Sequence, residues 1–425
     1  MKLSHVSALL AGLFSSVVCA QVEQVILVGQ LLDVRTGNYQ KNKAILVEEG
    51  RISAIVDSDQ APATVPHIDL STYYVLPGLI DMHVHLTSDP QKHGYRGLVE
   101  TPTREAIFGV SAAKATLKSG FTTVRNLGAA GFADVSLRDA IEDGEIQGPR
   151  MRVAANTICI TGGHCDNNLL PHIYNARSAG VANGPDEVRA KVRENIKYGA
   201  DVIKFAATGG VLSKNTDVNA SQYNFEEMKA LIDEAHDRGR IVAAHAHGLQ
   251  GIKRAIEAGV DSIEHGSFID DEAIKLAKKH GTYLVMDVYV SDYILSEGEK
   301  AGILPESLAK EKKVGLLQRQ NFKKAVKAGV KMAYGTDAGV YTHGLNGRQF
   351  AYMTQWGMTP LQAIQAATLN AGTLLNWKNE QGLQNVGVLE VGAFADLIAV
   401  PRDPLKDIKV LEQPALVVKS GQQVL

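Results

Sequence analysis

Between residues 80 and 337, short apolar runs alternate with stretches of helical period. Strand-length runs rich in Val, Ile, Ala and Tyr fall at 80–86, 122–127, 151–158, 202–206, 241–246, 262–265, 283–288 and 332–336. Segments 104–118, 185–198, 225–238, 249–258, 271–279 and 310–328, with 360–368 beyond the last run, repeat apolar residues at helical spacing. Gly120, Gly199, Gly239, Gly259 and Gly329 sit at or just past the ends of such segments, where a left-handed cap stops a helix. Eight strands alternating with helices predict an α/β fold, a (β/α)8 TIM barrel.

The two ends of the chain read differently. Short β-like runs occupy 24–28, 44–48 and 51–56, and similar runs return at 387–389, 395–400 and 414–418. They predict a small β-sandwich built from residues 21–76 plus 381–425, with the barrel spanning 77–380. Residues 1–20 carry Lys2, an apolar stretch over 8–18 and small residues at Val18-Cys19-Ala20. This pattern predicts a signal peptide cleaved before Gln21, and hence a periplasmic or secreted protein. The apolar stretch is too short to span a bilayer, and Ser16-Val17-Val18 lacks the small residue expected before a lipidated Cys19.

Composition narrows the function classes. The chain has 425 residues, 45% hydrophobic and 21% charged, with a formal net charge of -2 and no basic stripe. Nucleic acid and anionic membranes are therefore not expected partners, and no membrane anchor is expected. Beyond the leader, the cysteines are Cys159 and Cys165. They are structural, free or paired in a disulfide; without a CxxC pair they do not read as a zinc site.

Polar residues break the apolar strands at their C-terminal ends, where barrel enzymes build their sites. His83 and His85 lie in Ile80-Asp81-Met82-His83-Val84-His85, and alternate residues of a strand share a face. Lys204 interrupts Val202-Ile203-Lys204-Phe205-Ala206, costly inside a barrel unless its charge is paired or removed. A lysine snorkelling outward between helices is the other reading. His245 ends the fifth run, His265 the sixth, and Asp337 follows the eighth. Six such residues converging on one mouth form a ligand set suited to zinc or a similar divalent ion.

The order His-x-His, strand-four lysine, strand-five histidine, strand-six histidine and strand-eight aspartate resembles the metal-dependent amidohydrolase superfamily. Leu76-Pro77-Gly78-Leu79-Ile80 running into the His-x-His pair, with Ser119-Gly120-Phe121-Thr122-Thr123-Val124-Arg125, resembles its imidazolonepropionase-related and Xaa-Pro dipeptidase-like branch. Thr161-Gly162-Gly163-His164 and Ile203-Lys204-Phe205-Ala206-Ala207-Thr208-Gly209-Gly210 resemble the dipeptidase and carboxypeptidase group within that branch.

The resemblance implies two divalent metal ions, zinc in the first instance. It further implies that carbon dioxide carboxylates Lys204, turning a cation into a bridging oxygen ligand. His83, His85 and Asp337 would serve one ion and His245 and His265 the other, and Asp337 would pass the proton of the attacking water to the leaving amine. His164 matches a family histidine beside the substrate, where it could hold a terminal carboxylate; an exposed histidine on a glycine-rich turn is the alternative. His247 shares the face of His245 at a position where relatives often carry a carbonyl-polarising tyrosine. Tyr223, Tyr289 and His343 lie on candidate loops, open to a pocket-lining role or to ordinary packing, and 89–95 is a candidate lid.

The expected function is an exported binuclear hydrolase that cleaves an amide or peptide bond next to a C-terminal residue. Dipeptides, N-acyl amino acids and amino-acid-conjugated xenobiotics such as ochratoxin-like amides all fit. The alternative is a cyclic-amide or heterocycle hydrolase of imidazolonepropionase type; from another class, a non-catalytic extracellular binding protein. The expected partner is a small peptide or amide, and the chain is expected to form a homo-oligomer.

Overall fold

The computed structural model describes residues 22–425, so the expected signal peptide lies outside the described residues. In chain order the strands are β1 (Gln24–Leu32), β2 (Tyr39–Glu48), β3 (Arg51–Asp57), β4 (His67–Pro77), β5 (Leu79–Val84), β6 (Phe121–Asn126) and β7 (Arg150–Val153). They continue with β8 (Ile203–Ala206), β9 (Val242–Ala246), β10 (Ser262–His265), β11 (Tyr283–Val285), β12 (Leu397–Val400), β13 (Leu416–Lys419) and β14 (Gln422–Gln423).

The terminal strands assemble into one seven-stranded sheet in the order β14-β13-β12-β4-β1-β2-β3, so both chain ends contribute, as their patterns predict. Its own core includes Ile26, Ile45, Leu70, Val75, Leu397 and Val418. A single residue, Gly78, then carries the chain from β4 into β5. A side chain at Gly78 would overlap Thr122, so the close passage of these strands needs glycine there.

The central strands form two parallel sheets, β5-β6-β7 and β8-β9-β10-β11. Every residue of β5, β6, β8, β9 and β10 is buried, as expected of parallel strands covered on both faces. Two irregular segments hydrogen-bond across the gaps between these sheets. Ile158 N donates to Lys204 O at 2.9 Å, and Ala206 N to Ile158 O at 2.9 Å. On the other side Leu284 N donates to Lys331 O at 2.9 Å and Met82 N to Tyr334 O at 2.8 Å.

Local chemistry explains the helices that punctuate the strands. Helix Pro102–Lys118 starts with Thr101 accepting from Arg104 N and proline in the first turn. Helix Phe225–Asp237 carries a full capping box between Asn224 and Glu227. Helices Leu249–Ala258 and Pro305–Ala328 stop at Gly259 and Gly329, with φ of 101° and 67°.

Several expected elements are corrected. Residues 332–336 form no strand; that segment meets its neighbours through isolated backbone bonds, because Gly335 packs against Val285 and His83 and the backbone turns left-handed at Asp337. The expected strand 151–158 ends at Val153, since Ala155 adopts a φ of 58°. The expected strand 283–288 ends at Val285 and is soon followed by helix Val290–Glu297.

Candidate active site

Six sequence-predicted residues meet where the central strands end. His83 sits in β5 and His85 just beyond it, Lys204 lies in β8, His245 in β9, and His265 closes β10. Asp337 follows the segment bonded to β5, its amide donating to His83 O at 2.8 Å. Its carboxylate Oδ1 lies 3.3 Å from His85 Nε2 and 3.4 Å from His83 Nε2. Lys204 Nζ stands 3.4 Å from His83 Nε2, so this lysine faces inward and the snorkelling alternative is discarded. His265 and Asp337 adopt left-handed φ of 68° and 59°, a strained conformation for non-glycine residues that costs about 1–3 kcal/mol each. Strain of this kind persists where surrounding structure dictates where a side chain must point.

His247 also joins the centre. His245, His247 and His265 bring ligand atoms within 4.8 Å of one another, as do His83, His265 and Asp337. The rings of His247 and His265 stack at 4.7 Å, and His164 stacks on His245 at 3.9 Å. Ser213 Oγ lies 2.9 Å from His164 Nδ1, and Ser267 Oγ lies 2.7 Å from His247 Nδ1. His164 is therefore built into the site; the exposed-turn reading is corrected by its stacking and its half-buried ring.

Outer groups fix these rings. His85 Nδ1 is 3.2 Å from Gly128 O, and His265 Nδ1 is 2.9 Å from Asp287 Oδ1. Gln318 Nε2 donates to that same Asp287 oxygen at 2.8 Å. Glu264 Oε2 approaches His83 Nδ1 at 3.1 Å, while Glu264 Oε1 accepts from Arg125 Nη2 at 2.7 Å and from Ser262 Oγ at 2.5 Å. Asp81 accepts from the amides of His83 and Thr336, from Thr336 Oγ1 and from Asn346 Nδ2, tying β5 to the turn before Asp337. Arg125, Glu264, Asp287 and Asp81 were not predicted as site residues. The available signal was a charged residue inside an otherwise apolar strand, in the same alternation that exposed Lys204.

Electrostatics follow from burial. Burial, then the charge of Lys204, depresses His83, and burial and neighbouring rings depress His245 and His247, so these imidazoles stay neutral with lone pairs free. Burial lowers His164 to about 3 and the Lys204 ammonium to about 8. Burial pushes Asp337 up, but the hydrogen bond and charge of His85 outweigh it and hold the carboxyl below its ordinary value. Burial lowers His265, yet Asp287 reverses the sign and its pKa rises.

These features suit a divalent metal. Neutral imidazoles converge with a carboxylate, and most rings have their second nitrogen tied to a fixed carbonyl, carboxylate or hydroxyl, the arrangement that orients metal-ligating histidines. The centre opens on a cavity of about 420 Å³, lined among others by Asp89, Glu105, Phe108, Val290, Glu311 and Val314.

Three expected lining residues stay out of that cavity. Tyr223 is buried and donates to Ala182 O at 2.8 Å. Tyr289 accepts from Arg348 Nη1 at 3.1 Å and packs edge-on to Tyr341. His343 is held 3.1 Å from Ser88 O, against Phe108. All three are structural packing, the simpler of the two readings. Of segment 89–95, Asp89, Lys92, His93 and Gly94 line the cavity, and His93 Nε2 is pinned 2.9 Å from Val340 O. Cys159 and Cys165 are joined in a disulfide, which resolves the open question of their pairing.

The chain has characterised relatives over nearly its whole length. The sequence profile of the amidohydrolase family matches residues 74–424. Ochratoxinase from Aspergillus niger is 34% identical over 418 residues, covering 93% of this chain and 85% of that protein. Imidazolonepropionase from Cutibacterium acnes is 25% identical over 389 residues, covering 85% of this chain and 84% of its own length. A crystal structure of a Xaa-Pro dipeptidase with methionine bound in its active site superposes with a TM-score of 0.88. It is 40% identical and covers 94% of this chain and 99% of its own. The converging histidines thus belong to a hydrolase acting on C–N bonds, and the chain is a member of the amidohydrolase family.

Proposed function

We propose that the protein is an exported, binuclear metal-dependent hydrolase, on a (β/α)8 barrel with a terminal β-sandwich, that cleaves an amide or peptide bond next to a C-terminal residue. The observation that carries this reading is Lys204: a buried lysine set 3.4 Å from His83 Nε2, a member of one of two groups of metal-ligand atoms that share His265. Carboxylation by carbon dioxide would replace a poorly placed ammonium with an anion able to bridge two cations. His83, His85 and Asp337 would hold one divalent ion and His245 and His265 the other, zinc in the first instance. Such ions, when bound, polarise a scissile carbonyl and make water acidic near neutral pH.

The chain's own residues supply the rest. Asp337 Oδ1, 3.3 Å from His85 Nε2, is placed to accept a proton from the attacking water and return it to the leaving amine. His164, locked between Ser213 and His245, presents its remaining ring edge to the substrate. His247 would donate to the carbonyl oxygen, and it is close enough to His245 and His265 to compete as a ligand. The Cys159–Cys165 disulfide supports export, because such bonds persist in oxidising compartments.

The names of the relatives favour amide bonds beside an amino acid: an ochratoxinase and a Xaa-Pro dipeptidase, the latter with a single amino acid in its active site. The test is a substrate panel of dipeptides, N-acyl amino acids and imidazolone-type cyclic amides, run on zinc-loaded enzyme and on Asp337→Asn. Hydrolysis of linear amides that falls at least 100-fold in Asp337→Asn supports the reading. Turnover confined to cyclic amides would replace it with the imidazolonepropionase-like alternative, and tight binding without turnover would make the protein a binding module.

A further inference from the structure

Helix Pro305–Ala328 lays one face along the cavity, with Glu311, Val314 and Gln318 at helical spacing. Gln318 is already engaged by Asp287 and by His265 O. Glu311 is not. Its side chain is buried at 4% exposure, Ser291 Oγ donates to Oε1, and no described residue donates to Oε2. Arg319, on the same helix, gives its guanidinium to Asp292 at 2.6 Å and Val288 O at 2.9 Å. Asp287 adds a second negative group near Glu311, and Val290, Ile294 and Val314 make the adjoining wall apolar. Burial, with Asp287, pushes the Glu311 carboxyl up to about 7. Oε2 therefore faces the cavity, where water meets it until a donor group entering the cavity takes its place.

We propose that Glu311 is a specificity-determining residue that receives the cationic end of a lysine or arginine side chain flanking the scissile amide. The methylene stem of such a residue packs on Val290, Ile294 and Val314, while its ammonium or guanidinium bonds to Oε2. This inference rests on the amide-hydrolase reading and narrows its substrate to basic peptides.

The experiment compares kcat/KM for Ala-Lys, Ala-Arg, Lys-Ala and Arg-Ala with that for Ala-Leu and Ala-Met, in the metal-loaded wild type and in Glu311→Gln. The wild type is expected to prefer a basic dipeptide, and the basic-to-apolar ratio to fall roughly 10- to 100-fold in Glu311→Gln, as for a lost hydrogen bond to a charged group. A ratio is insensitive to the fraction of variant that folds. An unchanged ratio, or a wild type that favours apolar dipeptides, overturns the proposal. Free arginine and lysine are titrated in parallel by thermal shift. If no dipeptide is cleaved and N-acyl amino acids are not cleaved either, the hydrolytic reading fails; the Glu311 pocket then stands if arginine raises the melting temperature of the wild type and not of Glu311→Gln, and falls otherwise.

Discussion

Arg125 and Glu264 are both fully buried and paired at 2.7 Å, with Met82 O accepting from Arg125 Nε at 2.7 Å. Removing one member of such a pair strands the other charge, so Arg125→Met should lose about 3–5 kcal/mol of stability in urea unfolding. A loss below about 1 kcal/mol would show that Glu264 is not held as an anion by this contact. His236 offers a separate check at the surface. Its hydrogen bond to Asp261, then the charge of Asp261, outweighs partial burial and raises its pKa above the ordinary 6.5. A raised folded-state pKa means that the protonated ring stabilises the fold fully below about pH 6.5 and that this benefit is lost as pH rises through the higher folded value. The melting temperature gap between wild type and His236→Gln should therefore be wider at pH 5.5 than at pH 9. An equal gap at both would assign the contact no charge component. Single residues were also where the sequence was most legible. Histidines and a lysine inside apolar runs stand out by contrast, whereas Asp81 and Glu264 were overlooked because a histidine one or two residues on already explained the polar break.

Elements were legible where period and caps agreed. Helix Leu249–Ala258 matches its expected bounds, and β10 matches 262–265. Boundaries failed where the chain leaves regular geometry to build the site, at Ala155, at Gly335 and at Asp337, because left-handed backbone and close approach leave no periodic trace. The loop 210–216 belongs to that irregular class. Lys310 Nζ, partly buried, donates to Gly210 O at 2.8 Å, to Ser213 O at 2.6 Å and to Thr216 O at 3.2 Å, and Ser213 in turn meets His164. A Cβ on Gly210 would overlap the His164 ring. Gly210→Ala should consequently displace that ring and lower kcat/KM by roughly 10- to 100-fold, with little change in melting temperature. Unaltered kinetics in Gly210→Ala would remove His164 from the substrate side of the site.

At the scale of the whole molecule, the alternation of strands and helices placed the candidate ligands on one end of the parallel sheets, and strands from both chain ends share a single sheet, while the expected run 387–389 forms no strand. The tyrosines and His343 could not be placed, because loop position alone does not say whether a side chain turns toward a cavity or into packing. No helix among the described residues is long and apolar enough to cross a membrane. The claim that Lys204 joins two cation sites into one centre is read out by metal content. Protein loaded with zinc under bicarbonate and freed of excess metal should carry about two ions per chain, with Lys204→Ala falling to about one or fewer and losing activity in parallel. One ion per chain in the wild type, or full occupancy and turnover in Lys204→Ala, would contradict the claim.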